Sequence, residues 1–516
     1  MGIISAMTDP KLPSTDEVQA LGSVLGMHLS KDDASSFREM MRSCFYSCSQ
    51  LETLQEPKPA VKYPREEGYR PEPEDNPYFA WQRKTWIRGA EAGPLLDMRV
   101  GVKDTICVAG VPMSAGSQIV NGFVPDIDAT IVTRLLDAGA VIAGKTTSAG
   151  GVGSTTGKFA TARNPRKPTH APGGSSTGSA AALAAGDVEL ALGGDQGGSI
   201  RIPASWSGVC GLKPTYGLVP YTGVISNEIT MTHPGPMATN VRDVARMLSV
   251  IAGPDPLDSR THGVKPTTTD YTASLRKDIR GLRVGILQEG FNQAPWTELG
   301  LVGSEPVVDQ KVFAAVDRLR DAGAITTNVS VPMHIDGVHI FNAMYNEGNA
   351  HMYRHANVGT NVLGFYNTKL LERAGWRDDP DALSAAAKSM LLTAEYLERR
   401  YRGRYYARAQ NIRRLLVAAY DEALAAHDVL VMPTVPCRAT QIPTGPITPQ
   451  ESVAFAMQMI NNTCQFGVTG HPAISVPCGV DDDLPVGIMI VGKHLDELTV
   501  LQVADAVERS GSWQEL

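Results

Sequence analysis

The chain has 516 residues, of which 43% are hydrophobic and 20% charged, with a formal net charge of −7. That balance describes a globular chain able to bury a large core and argues against an intrinsically disordered or membrane-embedded one. An acidic total also argues against general nucleic-acid binding.

At the N-terminus there is no 18-residue apolar run and no basic, apolar, small-residue leader, and Ala6 stands where a myristoylation signal needs Ser or Thr. The expectation is a cytoplasmic protein without a membrane span. Residues 14 to 53 predict two short helices: Ser14-Thr15-Asp16-Glu17 offers a cap, and Leu21, Val24, Leu25 and Leu29 recur at helical spacing. The proline- and charge-rich stretch from Glu56 to Pro77 can continue neither helix nor sheet. A helical extension and linker over 1–75 is therefore set apart from a main body over 76–516.

Within that body, short apolar runs alternate with helical patterns: 98–102, 132–136, 140–143, 180–185, 190–192, 282–287 and 429–432. Alternation of this kind predicts an α/β body around a mixed, largely internal sheet. The Pro-, Gly- and Thr-rich segment 252–270 reads as a crossing between two halves of the body, and 385–427 as one long helix or a helical pair. From Arg399 to Arg414 seven arginines are interleaved with Tyr401, Tyr405 and Tyr406, which reads better as a solvated or interface-facing arginine face with buried tyrosines than as an RNA surface. Seven cysteines, Cys44, Cys48, Cys107, Cys210, Cys437, Cys464 and Cys478, are scattered without a Cys-x-x-Cys pair. They suggest a reducing compartment and neither a disulfide framework nor a zinc cluster.

Two motif matches fail on mechanism. Gly139 to Thr146 fits a phosphate loop in letters, but the residues between its glycines are themselves an apolar strand instead of an open loop. Gly174-Ser-Ser176-Thr-Gly178 fits a nucleophile elbow, but a loop with Pro168 and Pro172 precedes it where a strand is required. Among His233, His262 and His471 nothing singles out a triad partner.

What remains is a constellation. In Gly193-Gly-Asp-Gln-Gly-Gly-Ser-Ile-Arg201 four glycines crowd around Ser199, so several backbone N–H groups can converge beside a nucleophile. A serine hydroxyl needs a base, and a lysine serves if burial leaves it neutral. Lys103 ends the apolar run 98–102, and the serine pair Ser175-Ser176 lies between them in sequence.

Together these residues resemble the amidase signature family. The resemblance runs over roughly 76–510, through Val102-Lys103-Asp104, Gly173-Gly-Ser-Ser-Thr-Gly-Ser-Ala-Ala-Ala182, Gly194 to Ala204, Gly208 to Thr215, Pro472 to Pro477 and Leu484 to Gly487. It implies the family's fold, a mixed central sheet covered by helices, and a triad of Ser199 as nucleophile, Ser175 as bridging cis-peptide serine and Lys103 as base. Ser175 is preferred to Ser176 because its interval to Ser199 is similar to the family's spacing. The resemblance further implies an oxyanion hole from the N–H groups of Gln196, Gly197, Gly198 and Ser199. Asp195 and Arg201 would orient the loop, Asp104 would anchor its own, and Ser154 and Thr155 would support the site through hydrogen bonds.

No cofactor or metal is implied. Gln196 and the extension resemble the small-amide amidases of nitrile-degrading bacteria. The expectation is a homodimer that hydrolyses a small carboxamide, hydrazide, anilide or carbamate and uses neither nucleic acid nor membrane as partner. The alternative is the glutaminase-type subunit of a tRNA-dependent amidotransferase. The pocket is expected from the extension, the helices after 333 and the loop 434–450, with Phe341, Met344, Tyr345, Met457 and Ile460 as candidate lining.

Overall fold

A computed structural model describes residues 10–117, 120–148, 162–225, 228–264, 269–355, 363–373 and 380–516. The chain divides into two compact units, Met1–Ala60 and Val61–Leu516.

In the first unit the helices Thr15–Val24 and Lys31–Leu51 form where the caps predict. Ser14 Oγ accepts the Glu17 N–H at 3.2 Å while Glu17 accepts the Ser14 N–H at 2.6 Å, a reciprocal cap on two otherwise unpaired donors. Val18, Gly22 and Ala34 are buried, whereas Leu21, Val24 and Leu25 are exposed.

The second unit begins at Val61, so residues 61–75, grouped with the extension on composition, belong to the main body. They are held by side chains: Tyr63 and Lys62 both bond Asp137, at 2.7 and 2.6 Å, and Arg65 pairs with the buried Asp128. Proline excludes helix there, but it does not prevent an irregular segment from packing.

Among the described residues eleven strands form one sheet. They are β1 Trp81–Arg88, β2 Arg99–Lys103, β3 Val141–Thr146, β4 Leu190–Asp195, β5 Cys210–Lys213, β6 His233–Ala238, β7 Arg283–Leu287, β8 Ile325–Val329, β9 Val429–Pro433, β10 Ala473–Asp481 and β11 Leu484–Gly492. Their order is β1-β3-β2-β4-β6-β5-β10-β11-β9-β7-β8. β2 runs parallel to β3 and β4, and β7 parallel to β8 and β9, while the strands from β4 through β6, β5, β10 and β11 to β9 pair antiparallel. Every residue of β9 and β11 is buried, so both faces of the central sheet are covered.

Two of the apolar runs are helical instead. Ile131, Val132, Leu135 and Leu136 are buried on the helix Thr130–Asp137, where spacing of three and four puts them on one side. The alanines of 180–185 lie in the helix Thr177–Ala185, which is too apolar all round for periodicity to separate it from a strand. The region 385–427 is a helical pair, Ala385–Tyr401 and Arg404–Ala426, broken where Arg402 and Gly403 take positive φ of 55° and 72°. Arg399, Arg400, Arg402, Arg404, Arg408 and Arg414 are exposed, giving the solvated face expected, but Tyr401 and Tyr405, expected to be buried, are exposed with them.

Candidate active site

The parallel strands β2 and β4 end side by side, and their carboxyl ends bring the candidate residues together, where ligands bind in open α/β sheets. Lys103 is the last residue of β2 and is buried. Its Nζ lies 2.8 Å from Ser175 Oγ and 3.0 Å from the carbonyl oxygen of Gly194 on β4. Burial pushes the Lys103 ammonium down to about 7, against the opposing pull of the Asp195 carboxylate. Ser175 follows a cis peptide bond from Gly174. The next residue, Ser176, is fully buried and spends its Oγ on the Gly194 N–H at 3.2 Å, so the elbow-like match supplies a structural contact.

Beyond β4 the chain turns through 196–200 into the helix Arg201–Ser207. Asp195, fully buried, organises that turn: Oδ1 accepts the Gly198 N–H at 2.9 Å and Oδ2 the Ile200 N–H at 3.1 Å. Arg201 closes a two-pronged ion pair on the same carboxylate, at 2.8 and 3.0 Å. Burial opposes ionisation of Asp195, yet the Arg201 guanidinium and the backbone donors hold its carboxyl below the usual range.

The other side of the turn is fastened by Thr463, whose Oγ1 donates to the Gly197 carbonyl at 2.6 Å and whose own carbonyl accepts Arg201 Nη2 at 2.8 Å. Here the left-handed backbone at Gly198 favours glycine, and space is tight at Gly197. A Cβ on Gly198, at φ +131°, would sit 2.3 Å from Thr463 Oγ1, and one on Gly197 would sit 2.8 Å from Phe341 Cζ.

Of the four N–H groups expected around an oxyanion, that of Gly198 already has an acceptor, Asp195 Oδ1 at 2.9 Å. Among the described residues no acceptor takes the N–H groups of Gln196, Gly197 or Ser199. Gln196 itself is pinned by its side chain, whose Nε2 donates to Asn349 Oδ1 at 3.1 Å on the helix Met333–His355.

Lys103, Ser175, Gln196, Gly197 and Ser199 all line one cavity. Its apolar wall includes Ile202, Val224, Ile225, Phe341, Tyr345, Phe455, Met457 and Ile460. Met344 is absent from the wall and fully buried in the core, and no residue of the loop 434–450 reaches it. Among the described residues the wall has no carboxylate, thiol or imidazole to hold a metal, and His233, His262 and His471 all lie outside it.

Ser154 and Thr155 fall outside the described residues. Asp104 does anchor its loop, accepting the Ser114 N–H at 2.8 Å and lying 3.4 Å from buried Lys145. That contact, with the Lys145 Nζ donated to the Ile106 carbonyl, removes the lysine from any phosphate role. Thr463 and Asn349 escaped the sequence reading. Each acts on the glycine turn from far along the chain, and neither stands in a pattern that spacing could reveal.

The family model described as Amidase matches residues 79–501. The chain is 39% identical to an enantioselective amidase of Rhodococcus rhodochrous over 503 residues, 95% of each sequence. It is 36% identical to a glutamyl-tRNA(Gln) amidotransferase subunit of Methanosarcina mazei over 441 residues, 83% of this chain and 87% of that one. Among solved structures, the peptide amidase of Stenotrophomonas maltophilia superposes with a TM-score of 0.65 at 30% identity, over 81% of this chain and 83% of that one.

Proposed function

The chain belongs to the amidase signature family and is an amide hydrolase, and from that premise we propose that its substrates are small, uncharged aliphatic or aromatic carboxamides, cleaved to acid and ammonia. Related hydrazides, anilides or carbamates fall within the same chemistry. The observation that carries the reading is the Lys103–Ser175 contact at 2.8 Å, with the lysine held near neutrality in the cavity that Ser199 also lines.

In this scheme Ser199 Oγ attacks the amide carbon. Its proton passes to Ser175 Oγ as the Ser175 proton passes to neutral Lys103 Nζ. The carbonyl becomes a tetrahedral oxyanion, met by the N–H groups of Gln196, Gly197 and Ser199, where loss of one donor costs on the order of 3 kcal/mol of transition-state stabilisation. Lys103 returns the proton through Ser175 to the departing nitrogen, ammonia leaves, and an acyl-Ser199 ester remains. Water then attacks the ester over the same relay and restores the serine. No step needs a metal or cofactor.

Substrate class is argued from the wall. Phe341, Tyr345, Phe455, Met457 and Ile460 offer an apolar body, and Lys103 is its sole cation among the described residues. A free amino acid would bring an ammonium and a carboxylate into that wall without fixed partners, at a desolvation cost the apolar surface does not offset. The amidotransferase reading, favoured by the 36% identity to a glutamyl-tRNA(Gln) amidotransferase component, therefore ranks second.

The test is ammonia release from purified protein across aliphatic amides, aromatic amides and glutamine, with Ser199→Ala as control. Turnover of the neutral amides that vanishes in Ser199→Ala supports the proposal. Activity on glutamine alone, or only with added partner proteins, overturns it. A homodimer is proposed as the working form, to be read from gel filtration with light scattering.

A further inference from the structure

Asp421, His471 and His494 come from three separate stretches of chain: the helix Arg404–Ala426, the residues just after the helix Cys464–Thr469, and the turn just after β11. None of them lines the cavity described above. His471 Nε2 lies 3.0 Å from Asp421 Oδ1, and His494 Nδ1 lies 3.8 Å from the same oxygen. The two imidazole rings overlap, with centroids 3.9 Å apart.

Hydrogen bonds on the far side of the rings decide where the lone pairs point. His494 Nε2 sits 3.1 Å from the Thr469 carbonyl oxygen. A carbonyl only accepts, so Nε2 carries a proton, and in the neutral imidazole Nδ1 then presents a lone pair toward the Asp421 carboxylate. In that neutral form a lone pair and an anionic oxygen face one another, an approach that a cation between them would make favourable. His471 Nδ1 is 3.0 Å from Thr469 Oγ1, a hydroxyl able to donate or accept. In the free site His471 Nε2–H can donate to Asp421 while the hydroxyl donates to Nδ1. If the imidazole proton moves to Nδ1 and the hydroxyl turns to accept it, Nε2 is freed as a second lone pair without net proton release.

We infer that Asp421, His471 and His494 form a binding site for a divalent transition-metal ion of the zinc class, ligated by one carboxylate oxygen, His471 Nε2 and His494 Nδ1. Tetrahedral zinc with nitrogen and oxygen ligands spaces them about 3.3 Å apart, between the 3.0 and 3.8 Å seen here. The three ligand atoms lie within 4.8 Å of one another, and the two partly exposed residues supply the remaining closure. Two imidazoles select zinc, nickel or copper over magnesium and calcium. Thr469 serves both rings from behind, its carbonyl on one and its hydroxyl on the other, the outer-shell arrangement that orients histidine ligands. Bound metal would tie the helix Arg404–Ala426 to the segment whose other end, Thr463, holds the Gly197 carbonyl.

The test uses the full chain, freed of metal by dialysis against chelator and titrated with zinc chloride in a calorimeter. One ion per chain is expected, with a Kd on the order of micromolar or tighter. His494→Ala and Asp421→Asn should each abolish that binding phase, and Thr469→Val should weaken it about tenfold. Because His494 and Asp421 are 35% and 54% exposed, those variants keep the fold, as circular dichroism would verify. Cys44→Ser with Cys48→Ser should leave the zinc phase unchanged. Absence of a saturable phase in the wild type, or a phase that survives His494→Ala, overturns the assignment.

Discussion

Replacing Lys103 with methionine removes the amine and keeps most of the stem. Lys103 titrates near 7 in the folded chain against an ordinary value of 10.5, because burial penalises its charged form. A lysine depressed in this way destabilises the fold. The penalty is complete below the folded value and disappears as pH rises through the unfolded one. Linkage sets it at about 4 kcal/mol at pH 7 and about 2 kcal/mol at pH 9. The methionine variant escapes that penalty but takes the Nζ partner from Ser175 Oγ and leaves the Gly194 carbonyl only Ser176 Oγ at 3.4 Å, costing about 1–3 kcal/mol at any pH. The variant should therefore gain stability relative to wild type at pH 7 and lose about 2 kcal/mol of that advantage by pH 9. Denaturant unfolding of both proteins at pH 7, 8 and 9 reads this slope, and ammonia release reads the catalytic loss, about 10²- to 10⁴-fold. In the wild type, hydrolysis should be half-maximal near pH 7 and fall tenfold per unit on the acid side. A stability difference that does not change with pH, or a variant within tenfold of wild-type activity, would refute a buried, neutral lysine as the base.

Asp195→Asn leaves the Arg201 guanidinium buried without its counter-charge, so stability should drop by about 3–5 kcal/mol and kcat should fall as the glycine turn loosens. Unfolding and steady-state kinetics check both effects. Gly197→Ala drives a methyl toward the Phe341 ring and should cost about 1–3 kcal/mol. Adding Phe341→Leu should recover part of that loss, and strictly additive effects would count against the contact. Asn349→Ala frees the Gln196 side chain without touching the relay. Its expected signature is a raised KM with the acid limb of the pH profile unmoved, measured with one aromatic and one aliphatic amide.

The candidate site was legible before the fold because the proposed acyl transfer would leave local marks. Ser199 needs glycines beside it, Ser175 sits in a distinctive small-residue block, and Lys103 ends an apolar strand. Helical caps such as Ser14 with Glu17 are legible for the same reason, since donor and acceptor lie within one turn. Periodicity failed where burial is uniform. The alanine-rich helix Thr177–Ala185 has no polar face, so nothing in its pattern separates helix from strand.

By itself, the sequence determined the family and the α/β class, and it singled out Lys103, Ser175 and Ser199 as candidates, because all of them reside in short contiguous motifs. Tertiary structure alone decided what surrounds those residues. It hangs the glycine turn on Thr463 and Gln196 on Asn349, and removes enough water from Lys103 to bring it near neutrality. It also brings Asp421 to His471 and His494 across three separate elements. Desolvation, and hydrogen bonds between residues more than a hundred positions apart, depend on how the chain packs around a point, and no local pattern of residues encodes that.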